Sequence, residues 1–129
     1  MSTTAQTSTT VRPASLAASA AFRTFATVFA ITTPVIYVIC EMANLPMFTY
    51  HPGTDRVNLG WAAAMRDEGP AMYWYGWTAN TLIGGAILGL VAAKLPESAT
   101  RRIPLALVWI VPLAMIPILV YALRFFWRW

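Results

Sequence analysis

Charged residues are missing from three long stretches of the chain, and these stretches set its predicted architecture. They cover residues 24–40, 71–93 and 103–123, and more polar segments separate them. Once the first is extended to Ala43, each has about the 20 residues that an α-helix needs to cross a bilayer. We therefore predict an all-α integral membrane protein with three transmembrane helices at about 24–43, 71–93 and 103–123.

The segment between the first two predicted helices, residues 45–69, has a different composition. It holds prolines, glycines, two aspartates and the only histidine of the chain, His51, so it is too polar to cross a membrane. The run Tyr50-His51-Pro52-Gly53 is typical of a turn. Residues 57–68 predict a short helix on the membrane surface. Its apolar face would consist of Leu59, Trp61, Ala62 and Met65.

Prolines lie inside two of the predicted transmembrane helices, at Pro34, Pro112 and Pro117. Each proline removes a backbone N–H donor, so we expect both helices to bend. In the first helix, the hydroxyl of Thr32 or Thr33 is expected to hydrogen-bond the backbone carbonyl that Pro34 leaves free.

Composition supports a membrane protein with one domain. The chain is 58% hydrophobic and 11% charged, with a mean hydropathy of +0.58. A soluble domain of this size has too much surface to hide that share of apolar side chains. Residues 1–13 are rich in Ser and Thr and predict a disordered tail, which leaves 14–129 as a single three-helix domain. The net charge of +4 is small and scattered, which argues against a nucleic-acid partner.

The distribution of charge predicts an orientation. Three helices put the two termini on opposite sides of the membrane, and basic residues favour the cytoplasmic side. The N-terminal side would hold five basic residues and one acidic residue, namely Arg12, Arg23, Lys94, Arg101, Arg102 and Glu97. The other side would hold four of each sign. We therefore expect a bacterial cytoplasmic membrane, with the N-terminus in the cytoplasm.

Small residues form a stripe along the second predicted helix. Thr81, Gly85 and Gly89 recur every four positions, which places them on one face. Glycines spaced in this way let two helix backbones approach closely. The stripe predicts helix packing, either within the protein or against another subunit.

Aromatic residues concentrate on the side opposite the predicted cytoplasmic face. They indicate an interfacial belt, whose rings favour the headgroup zone of the bilayer. Because the other side has far fewer rings, we also consider a docking surface for a partner subunit, a quinone or a pigment. The residues we assign to it are Trp61, Tyr73, Trp74, Trp77 and Trp127.

Glu41 and His51 are the remaining candidates for chemistry. At about 1.5 Å per residue, Glu41 lies near the outer end of the first helix, where an ion pair with Arg124, Arg128 or another nearby arginine is expected. His51 is a candidate ligand for a haem, a chlorophyll or copper, or else a plain interfacial histidine. No cofactor follows from the sequence.

Catalytic motifs such as paired histidines, a CxxC pair or a glycine-rich phosphate loop do not occur in the chain. The leading hypothesis is therefore a non-catalytic accessory subunit of a larger bacterial membrane complex, in electron transfer or light harvesting. It would contact the lipid bilayer and other membrane subunits. One alternative is a small transporter or channel subunit that works as a homo-oligomer. Another is a cofactor-binding membrane enzyme that uses His51 and Glu41.

Overall fold

The computed structural model describes residues 19–124, which form three long helices and a small β-hairpin. Predictions for the 1–13 tail and for Trp127 and Arg128 lie outside the described residues. The elements are α1 (Ala20–Met42), β1 (Phe48–His51), β2 (Arg56–Leu59), α2 (Trp74–Ala93), α3 (Glu97–Thr100) and α4 (Leu107–Ala122). The helices α1 and α2 are long and apolar enough to cross a membrane, whereas α4 is a shorter apolar helix.

Helix α1 begins four residues earlier than predicted because Ser19 caps it. The Ser19 hydroxyl accepts a hydrogen bond from the Phe22 N–H at 3.5 Å, which satisfies one of the free donors of the first turn. At the other end, Asn44 takes a left-handed conformation with φ of 50°. This turn lets the Leu45 N–H donate to the Cys40 carbonyl at 2.8 Å and ends the helix.

The threonines beside Pro34 do not act as predicted. The carbonyl that Pro34 leaves without a partner belongs to Ala30, four residues earlier. Thr32 instead donates its hydroxyl hydrogen to the Val28 carbonyl at 2.9 Å, and Thr33 donates to the Phe29 carbonyl. Each threonine hydroxyl therefore hydrogen-bonds the carbonyl four residues before it in α1, and neither reaches the Ala30 carbonyl.

The predicted surface helix at 57–68 is wrong, because residues 56–59 form the second strand of a hairpin. Gly60 follows this strand with φ of +72°, a conformation that would break a helix. The start of α2 is also later than the predicted residue 71. Met72 forms an antiparallel bridge with Tyr50, so the helix begins only at Trp74.

The small residues of α2 lie against α1. Thr81, Gly85 and Gly89 are all buried. An added Cβ at Gly85 would lie 2.6 Å from the Thr33 hydroxyl oxygen, and one at Gly89 would lie 2.7 Å from the Phe25 ring. Side chains of α1 therefore occupy the space beside both glycines.

Helix α4 packs on α1 and not closely on α2. It begins at Leu107 and not at the predicted residue 103, because residues 104–106 form turns whose carbonyls accept hydrogen bonds from Leu107, Val108, Trp109 and Ile110. None of its residues is buried. The two-helix pair of α1 and α2 is thus the packed centre of the described chain.

Candidate functional site: the cap over the helix ends

Residues 44–73, which we call the cap, fold over the end of the helix pair where α1 finishes and α2 starts. Two hydrogen bonds attach the cap to α2. The Met47 N–H donates to the Gly76 carbonyl at 3.2 Å, and the Asn80 amide donates to the Leu45 carbonyl at 2.7 Å. Both bonds fall at the base of the hairpin, so the hairpin stands on the first turns of α2.

A four-residue turn at 52–55 joins the two strands, two residues later than the predicted turn. Asp55 takes the left-handed conformation with φ of 51°, and the Tyr50 hydroxyl donates to its carboxylate at 2.8 Å. This hydrogen bond, followed by partial burial, raises the pKa of Tyr50. The turn is thereby closed by a side-chain contact as well as by the strand pairing.

The hairpin has its polar face inside and its apolar face outside. Residues opposite each other in an antiparallel pair share a face, and the register pairs Thr49 with Asn58 and His51 with Arg56. On this inner face Thr49 and His51 are fully buried. The outer face consists of Phe48, Tyr50, Val57 and Leu59. On it Val57 is 59% exposed and Leu59 is 89% exposed.

Thr49 is buried because the chain after the hairpin folds across the inner face. Its hydroxyl donates to the Gly60 carbonyl at 2.7 Å and accepts from the Ala62 N–H at 3.1 Å. A valine here would leave two backbone groups without these partners. The hydroxyl thus fixes where the 60–69 segment crosses the hairpin.

His51, Arg56 and Glu68 meet at the far end of the inner face. The Arg56 guanidinium donates to Glu68 Oε1 at 3.0 Å, and the Met65 N–H donates to Oε2 at 2.9 Å. His51 Nδ1 lies 3.5 Å from the same Oε2. Neither ring nitrogen of His51 has a hydrogen-bond partner, although the side chain is fully buried. Glu68 therefore holds the 60–69 segment against the hairpin through Arg56 and His51, while the Met65 N–H fixes its carboxylate within the segment.

The stability of the cap should depend on pH through Glu68. The Met65 N–H, and then the Arg56 guanidinium, lower the pKa of this carboxyl from its ordinary value of 4.5. A lowered pKa in the folded state stabilises the fold above the ordinary value and loses that effect as the pH falls through the lowered one. We expect amide hydrogen exchange in residues 60–69, after correction for the intrinsic rate, to rise as the pH falls below 4.5.

Two variants test this assignment. Glu68→Gln should remove the acid step, because the amide cannot titrate. Asp67→Asn should keep it, because Asp67 is exposed and makes none of these contacts. An acid step that survives in Glu68→Gln would show that another group controls the cap.

A row of aromatic rings runs from the cap down to the helix pair. Trp61 stacks on Tyr73 with ring centres 6.3 Å apart, and Tyr73 stacks on Trp77 at 6.2 Å. Trp77 in turn meets the edge of Tyr37 in α1 at 6.4 Å. Of the predicted interface residues, Trp61, Tyr73 and Trp77 thus contact one another. They form one column, and its outermost ring, Trp61, is 55% exposed.

Trp74 lies apart from this column. Its ring contacts Tyr75, whose ring meets Tyr50 of the hairpin. Trp74 is 45% exposed, so it is available to a partner, whereas Trp77 is mainly used in internal packing.

The predicted ion pair between Glu41 and Arg124 is not formed. Both salt bridges among the side chains that the structure describes use Glu68. Glu41 Oε2 is buried without a hydrogen-bond partner, and Arg124 lies over the Tyr121 ring, 4.4 Å from its centre. The Arg124 guanidinium also donates to the Tyr121 carbonyl at 3.3 Å.

Between α1, α2 and α4 lies an apolar groove of about 530 Å³, bordered by Tyr37, Thr81 and Leu119 among others. The Thr81 hydroxyl beside it is buried and has no hydrogen-bond partner. Within residues 19–124, no three His, Cys, Asp or Glu side chains are grouped to hold a metal ion. His51 is accordingly placed as a partner of Glu68 and not within a metal-ligand set.

Sequence reasoning missed Thr49, Arg56, Glu68 and Gly76. A usable signal was present, because Thr49-x-His51 and Arg56-x-Asn58 alternate with period two on either side of a turn-forming segment. No local signal points to Glu68 or Gly76, whose partners in and before the hairpin lie 12 or more residues away.

The cap is thus a small polar core under an apolar outer surface. No protein-family model matches the chain, and neither do the characterised proteins or the solved structures with which it was compared.

Proposed function

We propose that the chain is a non-catalytic accessory subunit of a larger membrane complex, which it contacts through the outer face of the cap. The observation that carries this proposal is the reversed polarity of the hairpin. Apolar strand residues are expected on the packed face of a hairpin, yet Val57 and Leu59 are both exposed after folding. Apolar side chains presented together outside a protein's core commonly mark an interaction surface.

Exposed apolar helices support the membrane location. In the most apolar windows of α1 and α2, only 11% and 28% of the residues are buried, whereas the core helix of a soluble protein is mostly buried. Ile87 and Trp109, for example, are 55% and 73% exposed. Lipid chains would cover these side chains in a bilayer.

Helix α4 would provide the third crossing. Its 16 residues give a length of about 24 Å. That is somewhat less than the hydrocarbon thickness of about 30 Å, so the crossing would include the turns at 104–106.

We place the protein in a bacterial cytoplasmic membrane with the N-terminus inside. Four of the five acidic residues belong to the cap or the adjoining end of α1, and the fifth, Glu97, lies at the other helix ends with several basic residues. This excess of positive charge in a short loop favours the cytoplasmic side.

Fusion to alkaline phosphatase tests that orientation, because the enzyme needs disulfides that form outside the cytoplasm. A fusion after Gly60 should be active and a fusion after Ser98 inactive. The reverse pattern would invert the orientation, and activity in both would contradict the number of crossings.

The docking role is tested by the double variant Val57→Ser with Leu59→Ser. Purification in a mild detergent, followed by mass spectrometry of co-purifying chains, should show the partner reduced by at least about ten-fold, since apolar anchors of an interface often contribute about 2 kcal/mol each. The fold should persist, because both side chains point away from the inner face.

Leu95→Ser is the matched control, because it removes a leucine that is 52% exposed at the opposite helix ends. It should leave the partner bound. If the parent protein purifies without any other chain and transports solutes in liposomes as a homo-oligomer, the accessory-subunit proposal must be abandoned.

A further inference from the structure

A second cavity lies at the helix ends opposite the cap. It has a volume of about 500 Å³, and its walls come from the first two turns of α1 and from residues 100–105. A hydrogen bond from the Thr24 hydroxyl to the Thr100 hydroxyl, 3.2 Å long, joins these two walls. The cavity is therefore formed by segments 76 residues apart in sequence and held together by a direct contact.

Two arginines from different elements line this cavity. Arg23 belongs to α1, and Arg101 follows α3. Neither takes part in a salt bridge with the acidic side chains that the structure describes, a set without Glu97, since both such bridges use Glu68 at the cap. Residues 1–18 contain no acidic residue. Two guanidinium groups from separate segments thus line one cavity.

Apolar side chains lie beside the arginines. Phe22 and Leu105, which also line the cavity, are 45% and 72% exposed. A free inorganic anion makes no favourable contact with apolar side chains. An anionic phospholipid, by contrast, presents a phosphate to the arginines and acyl chains to the apolar residues.

We propose that this cavity, which we call the basic pocket, binds the headgroup of an anionic phospholipid. The phosphate oxygens accept hydrogen bonds from the Arg23 and Arg101 guanidinium groups, and the acyl chains run along Phe22 and Leu105. The inference rests on the membrane location proposed above, because it places the basic pocket at the level of the headgroups.

The test uses the full chain, purified in a neutral detergent and titrated with phosphatidylglycerol or phosphatidylcholine while bound lipid is counted by native mass spectrometry. The parent should prefer phosphatidylglycerol. Arg23→Gln and Arg101→Gln should each weaken phosphatidylglycerol binding about ten-fold, the usual effect of losing a charge-assisted hydrogen bond. The exposed neighbour Arg102 does not line the cavity, so Arg102→Gln should weaken binding about two-fold or less.

Three outcomes would overturn the proposal. Equal effects of Arg101→Gln and Arg102→Gln would indicate diffuse attraction to charge without a pocket. Equal binding of the two lipids by the parent would remove the anionic preference. Competition by millimolar inorganic phosphate would identify a free-anion site. Failure of the membrane location itself would appear separately, as parent protein recovered in the soluble fraction after cell lysis.

Discussion

Gly76→Ala is expected to detach the cap from the helix pair. A Cβ at this position would overlap the carbonyl oxygen of Phe48 and would lie 2.8 Å from the Phe48 nitrogen. Both are backbone atoms at the base of the hairpin, so they cannot move without displacing β1. The same residue accepts the Met47 N–H, and that bond would be lost as well. We expect a cost of about 3 kcal/mol, at the upper end for an overpacked site.

The measurement is amide hydrogen exchange in residues 47–72, combined with thermal unfolding in detergent. Exchange should rise throughout the cap while the lower turns of α2 stay protected. Gly84→Ala is the control, because its Cβ would approach only the end of the Ile36 side chain, at 3.2 Å, and alanine favours the helix. Equal protection of the cap in both variants would contradict the close approach of strand and helix at Gly76.

Gly89→Leu should separate α1 from α2. An added Cβ would lie 2.7 Å and 2.9 Å from two atoms of the Phe25 ring and 3.1 Å from the Phe25 carbonyl oxygen. The rest of a leucine side chain has no room between the helices, so we expect a loss of about 2–3 kcal/mol. Gly85→Leu should act similarly against Thr33 and Phe29. Resistance to unfolding by SDS in mixed micelles measures the loss.

Leu88→Ala serves as the control for the packed face, because Leu88 is 45% exposed and should matter little. A second variant makes the test specific to the contact. Phe25→Ala removes the ring that the new leucine meets. The double variant Gly89→Leu with Phe25→Ala should therefore recover part of the lost stability, a coupling that distant sites do not show. If Gly89→Leu unfolds like the parent, the glycine face does not pack on α1.

Close contacts at glycines join the molecule in two places. Gly85 and Gly89 let α2 pack on α1, and Gly76 lets the hairpin pack on α2. Between them runs the column of Trp61, Tyr73, Trp77 and Tyr37. A partner bound at the outer face of the cap would therefore contact a surface fixed to the helices. We expect little change in the cap on docking, because its inner face is already filled by Thr49, His51 and Glu68.

The three helices could be predicted from the sequence because their signal is local. Each is a run of apolar residues without charge, and the glycine spacing in α2 is visible along a single helix. The end of α2 at Ala93 was also predictable, since Lys94 and Pro96 follow it directly. These features depend on neighbouring residues, whose preferences act before any tertiary contact forms.

The cap was decided only by the tertiary structure. Residues 57–68 have a spacing of apolar residues that fits a helix, at Leu59, Trp61, Ala62 and Met65, yet β2 forms because it can pair with β1. Helix α2 begins only at Trp74 because Met72 pairs with Tyr50. The ion pairing of Glu68, and not of Glu41, follows from the 60–69 segment crossing the hairpin. In each case hydrogen bonds between residues distant in sequence outweigh a weak local preference, because a backbone or charged group left unpaired inside the cap would cost more free energy than the preference is worth.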